Sequence, residues 1–163
     1  MCLSIRSKLL KFRKPGHVAL RRGRHSIPGQ QYLVTFTTHK RQPFFSNHAL
    51  AMQMAREIND PRSWQKSRLL AWVLMPDHWH GLVELGQQES LSALMRSFKA
   101  NISRRFRLSR PVAGPLWGKS FHDRALRSDE DAIDAARYII MNPVRAGLVR
   151  RIGNYPFWDA VWV

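Results

Sequence analysis

The stretch SRLLAWVLMPDHWHGLVEL, residues 67–85, decides the fold. Residues 67–75 and 78–85 are two short apolar runs of strand length, and the Pro76-Asp77 pair between them is a turn former. The segment predicts an antiparallel hairpin. In its second run His78 and His80 flank Trp79. Side chains two apart on a strand leave the same face, so the histidines point together and the tryptophan points away.

Working outward, YLVTFTTH (32–39) is β-branched and aromatic and predicts another strand. NHALAMQMAREI (47–58) predicts a helix, with Ala49, Leu50, Met52 and Met54 on its apolar side, and DPRSW (60–64) breaks it. In SLSALMRSFKANISRRF (90–106), Leu91, Leu94, Met95, Phe98, Ile102 and Phe106 recur at spacings of three and four, the mark of an amphipathic helix. Its other side carries Arg96, Lys99, Arg104 and Arg105. RPVAGP (110–115) is a loop, and LWGKSFHDRALR (116–127) holds a fourth strand. Ser128 and Asp131 form an S-x-x-D capping box that opens a helix through residues 132–141. Pro143 ends it, because the residue before a proline resists helical geometry. NPVRAGLV is then a tight turn or a short helix, and the aromatic tail YPFWDAVWV packs back on the body. The order is β-α-β-β-α-β-α. Its first six elements match the ferredoxin-like arrangement, an α+β fold with an antiparallel sheet and helices on one face.

At 163 residues the chain is the size of one domain, and 44% apolar residues suffice for a core. Charge is lopsided, with 27 Lys and Arg against 11 Asp and Glu. Such an excess predicts a polyanionic partner, nucleic acid first and an anionic membrane surface second. No apolar run is long enough to span a bilayer. Cys2 is the sole cysteine, which excludes a disulfide framework and a Cys-rich zinc site and fits a cytoplasmic setting. Residues 1–30 carry eight basic and no acidic residues and read as a flexible basic arm, followed by one domain over 31–163. Without the arm the remainder still holds 19 basic against 11 acidic residues.

Two parallel imidazoles on a stiff strand can chelate one metal ion, although His78 and His80 also fit two polar residues on a solvated face. The last helix offers a third ligand. Tyr138 and Asn142 are four apart and share a helix face. Asn142 stands at the helix C-terminus, where the macrodipole favours a cation. By themselves Tyr138 also fits core packing, and Asn142 a C-cap before proline. A tyrosine beside a divalent cation suggests attack of a phenolic oxygen on phosphorus, with the metal stabilising the charge that develops.

Three segments, MPDHWHGLVEL, FHDRALR and ARYIIMNPVRAGLV, together resemble the REP-associated tyrosine transposases, relatives of the IS200/IS605 transposases within the HUH endonucleases. HWH fills the His-hydrophobe-His pattern, and YIIMNPVRAGLV matches a Y-x-x-x-N-P-V segment. The resemblance runs over about residues 31–160. It implies a ferredoxin-like domain with a C-terminal catalytic helix. Tyr138 maps to the catalytic tyrosine, His78 and His80 to the metal-binding histidines, and Asn142 to the polar ligand four residues after the tyrosine. The implied substrate is single-stranded DNA folded into hairpins of palindromic repeats, cleaved beside a guide tetranucleotide through a 5′-phosphotyrosine intermediate. Mg²⁺ or Mn²⁺ is the implied cofactor, and two imidazoles suit Mn²⁺ better. A monomer or a homodimer, in a bacterial cytoplasm and close to the nucleoid, completes what the resemblance implies.

For DNA contact, Arg96, Lys99, Arg104 and Arg105 form one candidate patch, and Lys119, Arg124 and Arg127 a second. Trp117, Phe121 and Trp158 are candidate stacking platforms. His122 and Asp123 lie in a segment of the resemblance and receive no role. Two other functions compete with the transposase-like nuclease: a non-catalytic binder of structured nucleic acid, and a related HUH enzyme of replication initiation or conjugation.

Overall fold

In a computed structural model the described residues are 26–109, 113–127 and 131–162. The basic arm lies outside them except for its end. Residues 26–30 are already fastened to the domain: Gly29 N–H donates to the Leu85 carbonyl at 2.8 Å, and Leu91 N–H donates to Ser26 Oγ at 3.0 Å.

The hairpin forms as expected. Strand β1 spans Gln31–Thr37, β2 Arg68–Met75 and β3 His78–Glu84, and β3 pairs antiparallel with both of the others. The fourth strand, β4, is His122–Ala125 and lies on the outer edge of β1. The tail supplies a fifth: β5, Trp158–Ala160, pairs antiparallel with β2. The sheet order is β4-β1-β3-β2-β5.

Helices α1 (His48–Asn59) and α2 (Leu91–Ser109) cover one face. Asn47 caps α1, its side chain accepting from Leu50 N–H at 3.1 Å. The alternation of β1 sends Tyr32, Val34 and Phe36 into this core, where they meet Met54 and Ile58 of α1 and Leu94, Phe98 and Phe106 of α2. Trp79 sits in the middle, fully buried, stacked on Phe36 at 4.9 Å and also against Phe98 and Trp64.

The opposite face is covered by α3, Ala132–Ile140, through Ala136, Ile139 and Ile140 against Leu70, Ala71 and Leu82. Asp131 is the N-cap, its carboxylate accepting from Ile133 N–H at 2.6 Å. This corrects the capping box: Asp131 does not stand three residues inside a helix opened by Ser128, which lies outside the described residues. Pro143 also acts differently. Helix α3 stops at Ile140, and Pro143 sits in the first turn of a separate one-turn helix, α4 (Asn142–Arg145), where its missing N–H costs nothing. Asn142 therefore opens α4 rather than closing the tyrosine helix, which removes the macrodipole argument for a cation there.

Candidate active site

The site is built on the α3 face of the sheet. Strand register puts Thr35 opposite His80 and Thr37 opposite His78. The imidazole centroids of His78 and His80 are 4.7 Å apart with their planes nearly perpendicular. Each ring is held through Nδ1: that of His78 contacts Asp77 Oδ1 at 2.5 Å, and that of His80 contacts Thr35 Oγ1 at 2.6 Å. Asp77 accepts from His78 Nδ1–H, which leaves the lone pair of that ring on Nε2, as in histidines that bind metals, whereas the Thr35 hydroxyl can accept from or donate to His80 Nδ1. Asp77 is itself held by Arg41 Nη1 at 2.9 Å. Burial pushes its carboxyl upward, but the hydrogen bonds and charge of His78 and Arg41 outweigh this and hold it below the ordinary range.

Burial pushes His80 down to about 3, helped by His78 when that ring is protonated and by the positive charges of Arg145 and Arg41, and opposed by Asp77. The ring is therefore neutral at physiological pH, the form that ligates a metal. The donor chemistry fits a divalent cation at His78 and His80. Among the described residues no group of three or more His, Cys, Asp or Glu could hold one.

Tyr138 lies on the outer side of α3, with 45% of its surface exposed and no hydrogen bond to its hydroxyl among the described residues. One residue joins it to Asn142. The Arg145 guanidinium lies over the Tyr138 ring at 4.1 Å from its centroid. Its Nη2 donates to both the Tyr138 carbonyl and Asn142 Oδ1, at 2.6 Å each. The other end of that amide, Asn142 Nδ2, is buried with no partner among the described residues. A carbonyl oxygen has two lone pairs, so Asn142 Oδ1 can accept from Arg145 and retain one for a cation. The sequence reading missed Arg145, Thr35 and Asp77. Arg145 carried a signal, since it follows Tyr138 by seven and Asn142 by three, both helical spacings. Thr35 becomes visible only through strand pairing.

The expected DNA-facing cations divide. Arg96 and Arg104 on α2 are exposed, as are Lys119, Arg124 and Arg127. Lys99 and Arg105 turn inward. Lys99 Nζ donates to the Gly118 carbonyl at 2.5 Å and stands 5.5 Å from the Phe36 ring centroid, and burial lowers its pKa. Arg105 is ion-paired with Glu57 and hydrogen-bonded to Ser63, tying α2 to α1. Trp117 is no stacking platform either: it is 6% exposed and packs edge-on against Phe36 at 4.7 Å. Phe121 and Trp158 are half-buried against the core. His122 stands opposite Thr35 on β4, on the histidine face. Among the described residues it does not join His78 and His80 in a group of three or more His, Cys, Asp or Glu that could hold a metal.

The family of IS200-like transposases matches residues 26–139, most of the described chain. This chain belongs to that family. A REP-associated tyrosine transposase of Escherichia coli (strain K12) is 28% identical over 88 residues, which are 53% of this chain and 50% of that protein. The match thus spans half the length of this relative. An uncharacterised protein of Haemophilus influenzae is 20% identical over 147 residues, covering 69% of this chain and 79% of its own. Among solved structures, a REP-associated tyrosine transposase bound to a REP hairpin superposes with a TM-score of 0.61 at 23% identity, over 83% of this chain and 79% of the other. At that identity the likeness establishes the α+β fold. No described helix is long and apolar enough to cross a membrane.

Proposed function

We propose that this IS200-like transposase is a metal-dependent endonuclease and strand transferase acting on single-stranded DNA folded into palindromic hairpins. Tyr138 is the nucleophile, and His78, His80 and Asn142 hold the metal. The observation that supports the reading is the histidine pair: two rings on one strand face, 4.7 Å apart, each contacting its own partner through Nδ1. When bound, Mg²⁺ or Mn²⁺ would polarise the scissile phosphate and offset the charge that builds up on it.

The protein's own part is nucleophilic. The Tyr138 oxygen bonds to phosphorus as its proton passes to water. The bond from phosphorus to the 3′ oxygen breaks, and that oxygen takes up a proton to become a free 3′-OH. The 5′ phosphate stays on the tyrosine, which keeps a phosphodiester available for rejoining. Exposure of Tyr138 suits a large substrate arriving from solvent, and the exposed cations Arg96, Arg104, Lys119, Arg124 and Arg127 supply phosphate contacts.

The test uses 5′-labelled and 3′-labelled single-stranded oligonucleotides carrying a palindromic repeat of the host genome, incubated with Mn²⁺ and protein. The expected result is a covalent protein–DNA band from the 3′-labelled strand on a denaturing gel, absent with Tyr138→Phe and after EDTA. Binding on a native gel with no adduct under any metal would replace this reading with that of a non-catalytic nucleic-acid binder.

A further inference from the structure

We propose that Arg145 is the positioning residue of the nucleophile, holding the Tyr138 ring in its attacking direction and joining it to Asn142. The inference rests on the reading of Tyr138 as nucleophile. Tyr138 is exposed on its helix with no hydrogen bond to its hydroxyl among the described residues, and the helix backbone alone leaves more than one rotamer open. Arg145 selects one. Its guanidinium covers one face of the ring and is anchored at Nη2 by two acceptors, the Tyr138 carbonyl and Asn142 Oδ1. A planar cation can stack and donate in its own plane at once, which a lysine ammonium cannot. Attack on phosphorus requires the oxygen near its in-line position, and small misplacements of a nucleophile cost large factors in rate.

The local fold makes the contact possible. Helix α3 stops at Ile140, α4 restarts at Asn142, and Gly147 ends that turn with φ of +71°, a conformation suited to glycine. Arg145 then reaches back across the junction. Its side chain is exposed and supports no part of either core, so its removal leaves the fold intact.

The amide of Asn142 points the same way. Its oxygen faces Arg145 while its nitrogen is buried without a partner among the described residues, an arrangement a free amide would avoid. Arg145 thus sets the orientation of the proposed third ligand together with that of the nucleophile.

The experiment places 3-fluorotyrosine at position 138 and reads its ¹⁹F resonance in full-length protein without metal or DNA. The same Arg145→Ala and Arg145→Lys variants are assayed with the hairpin oligonucleotide and saturating Mn²⁺ in single turnover. We expect the resonance to shift or broaden in both variants, the rate of adduct formation to fall tenfold or more, and oligonucleotide affinity to change less than threefold. Added guanidinium should restore part of the rate to Arg145→Ala and none to wild type. An unchanged resonance overturns the proposal, and so does a normal adduct rate in Arg145→Ala while Tyr138→Phe is inactive. No adduct in wild type overturns the nuclease reading itself, and the positioning role falls with it.

Discussion

The six-membered ring of Trp79 lies directly over Gly81: a Cβ at that glycine would stand 2.0 Å from Cη2 and 2.4 Å from Cζ2 of the indole. Both residues face the α1–α2 core, so the pair fills that face of β3 while His78 and His80 occupy the other. Trp79 cannot retreat, because Phe36, Phe98 and Trp64 surround it. Gly81→Ala is therefore expected to destabilise the protein by about 3 kcal/mol, at the upper end of overpacking costs. The urea midpoint of the variant against wild type measures this. An unchanged midpoint would mean that the indole does not lie over the glycine.

The Nδ1 partners of the two histidines set the direction of the rings. Thr35→Val keeps shape and removes the contact to His80, and Asp77→Asn weakens the one to His78. Loss of such a partner typically lowers metal affinity about 10- to 100-fold. Titration calorimetry with Mn²⁺ on the DNA-free protein should show that loss in each variant. Affinity equal to wild type would place the metal elsewhere.

Tyr138→Phe deletes one exposed hydroxyl that no described residue holds. Its melting temperature should match wild type and its affinity for the hairpin oligonucleotide should change little, while covalent adduct disappears. Residual adduct in the variant would assign the nucleophile to another residue.

The α2 cations should separate by experiment as they do by position. Arg96→Ala and Arg104→Ala are each expected to weaken DNA binding and to flatten the dependence of log affinity on log salt by about 1. Arg105→Ala breaks the Glu57 pair and the Ser63 contact and should instead cost about 2 kcal/mol of stability, the range of a hydrogen bond to a charged group. A salt slope that falls for Arg105→Ala, with stability unchanged, would return that side chain to the DNA surface.

Much of the fold was legible because its signals are local. The apolar spacing of α2 and the alternation of β1 both agree with the structure to within a few residues at their ends. Strand β5 was harder, since Trp158–Ala160 is three residues long and acquires strand geometry only by pairing with β2. The cap of α3 was misplaced because Ser128 and Asp131 both suit an N-cap, and the choice between them depends on where the helix meets the sheet. Lys99 and Arg105 lie off the apolar stripe of α2, as their spacing indicates. Helical periodicity does not say whether such a side chain ends in water or reaches a neighbouring carbonyl or carboxylate.

The sequence by itself determined that His78 and His80 share a face with Trp79 opposite, because the two-residue period of a strand is a property of the backbone alone. It also placed Tyr138 and Asn142 within one turn of each other and set the excess of positive charge. Only the tertiary structure decided that Thr35 holds His80, that Arg145 lies on Tyr138, and that Lys99 and Arg105 turn inward. Those contacts depend on strand register, on the break between α3 and α4, and on the packing of α1 against α2. Each joins residues whose meeting is settled by the whole fold rather than by their own spacing along the chain.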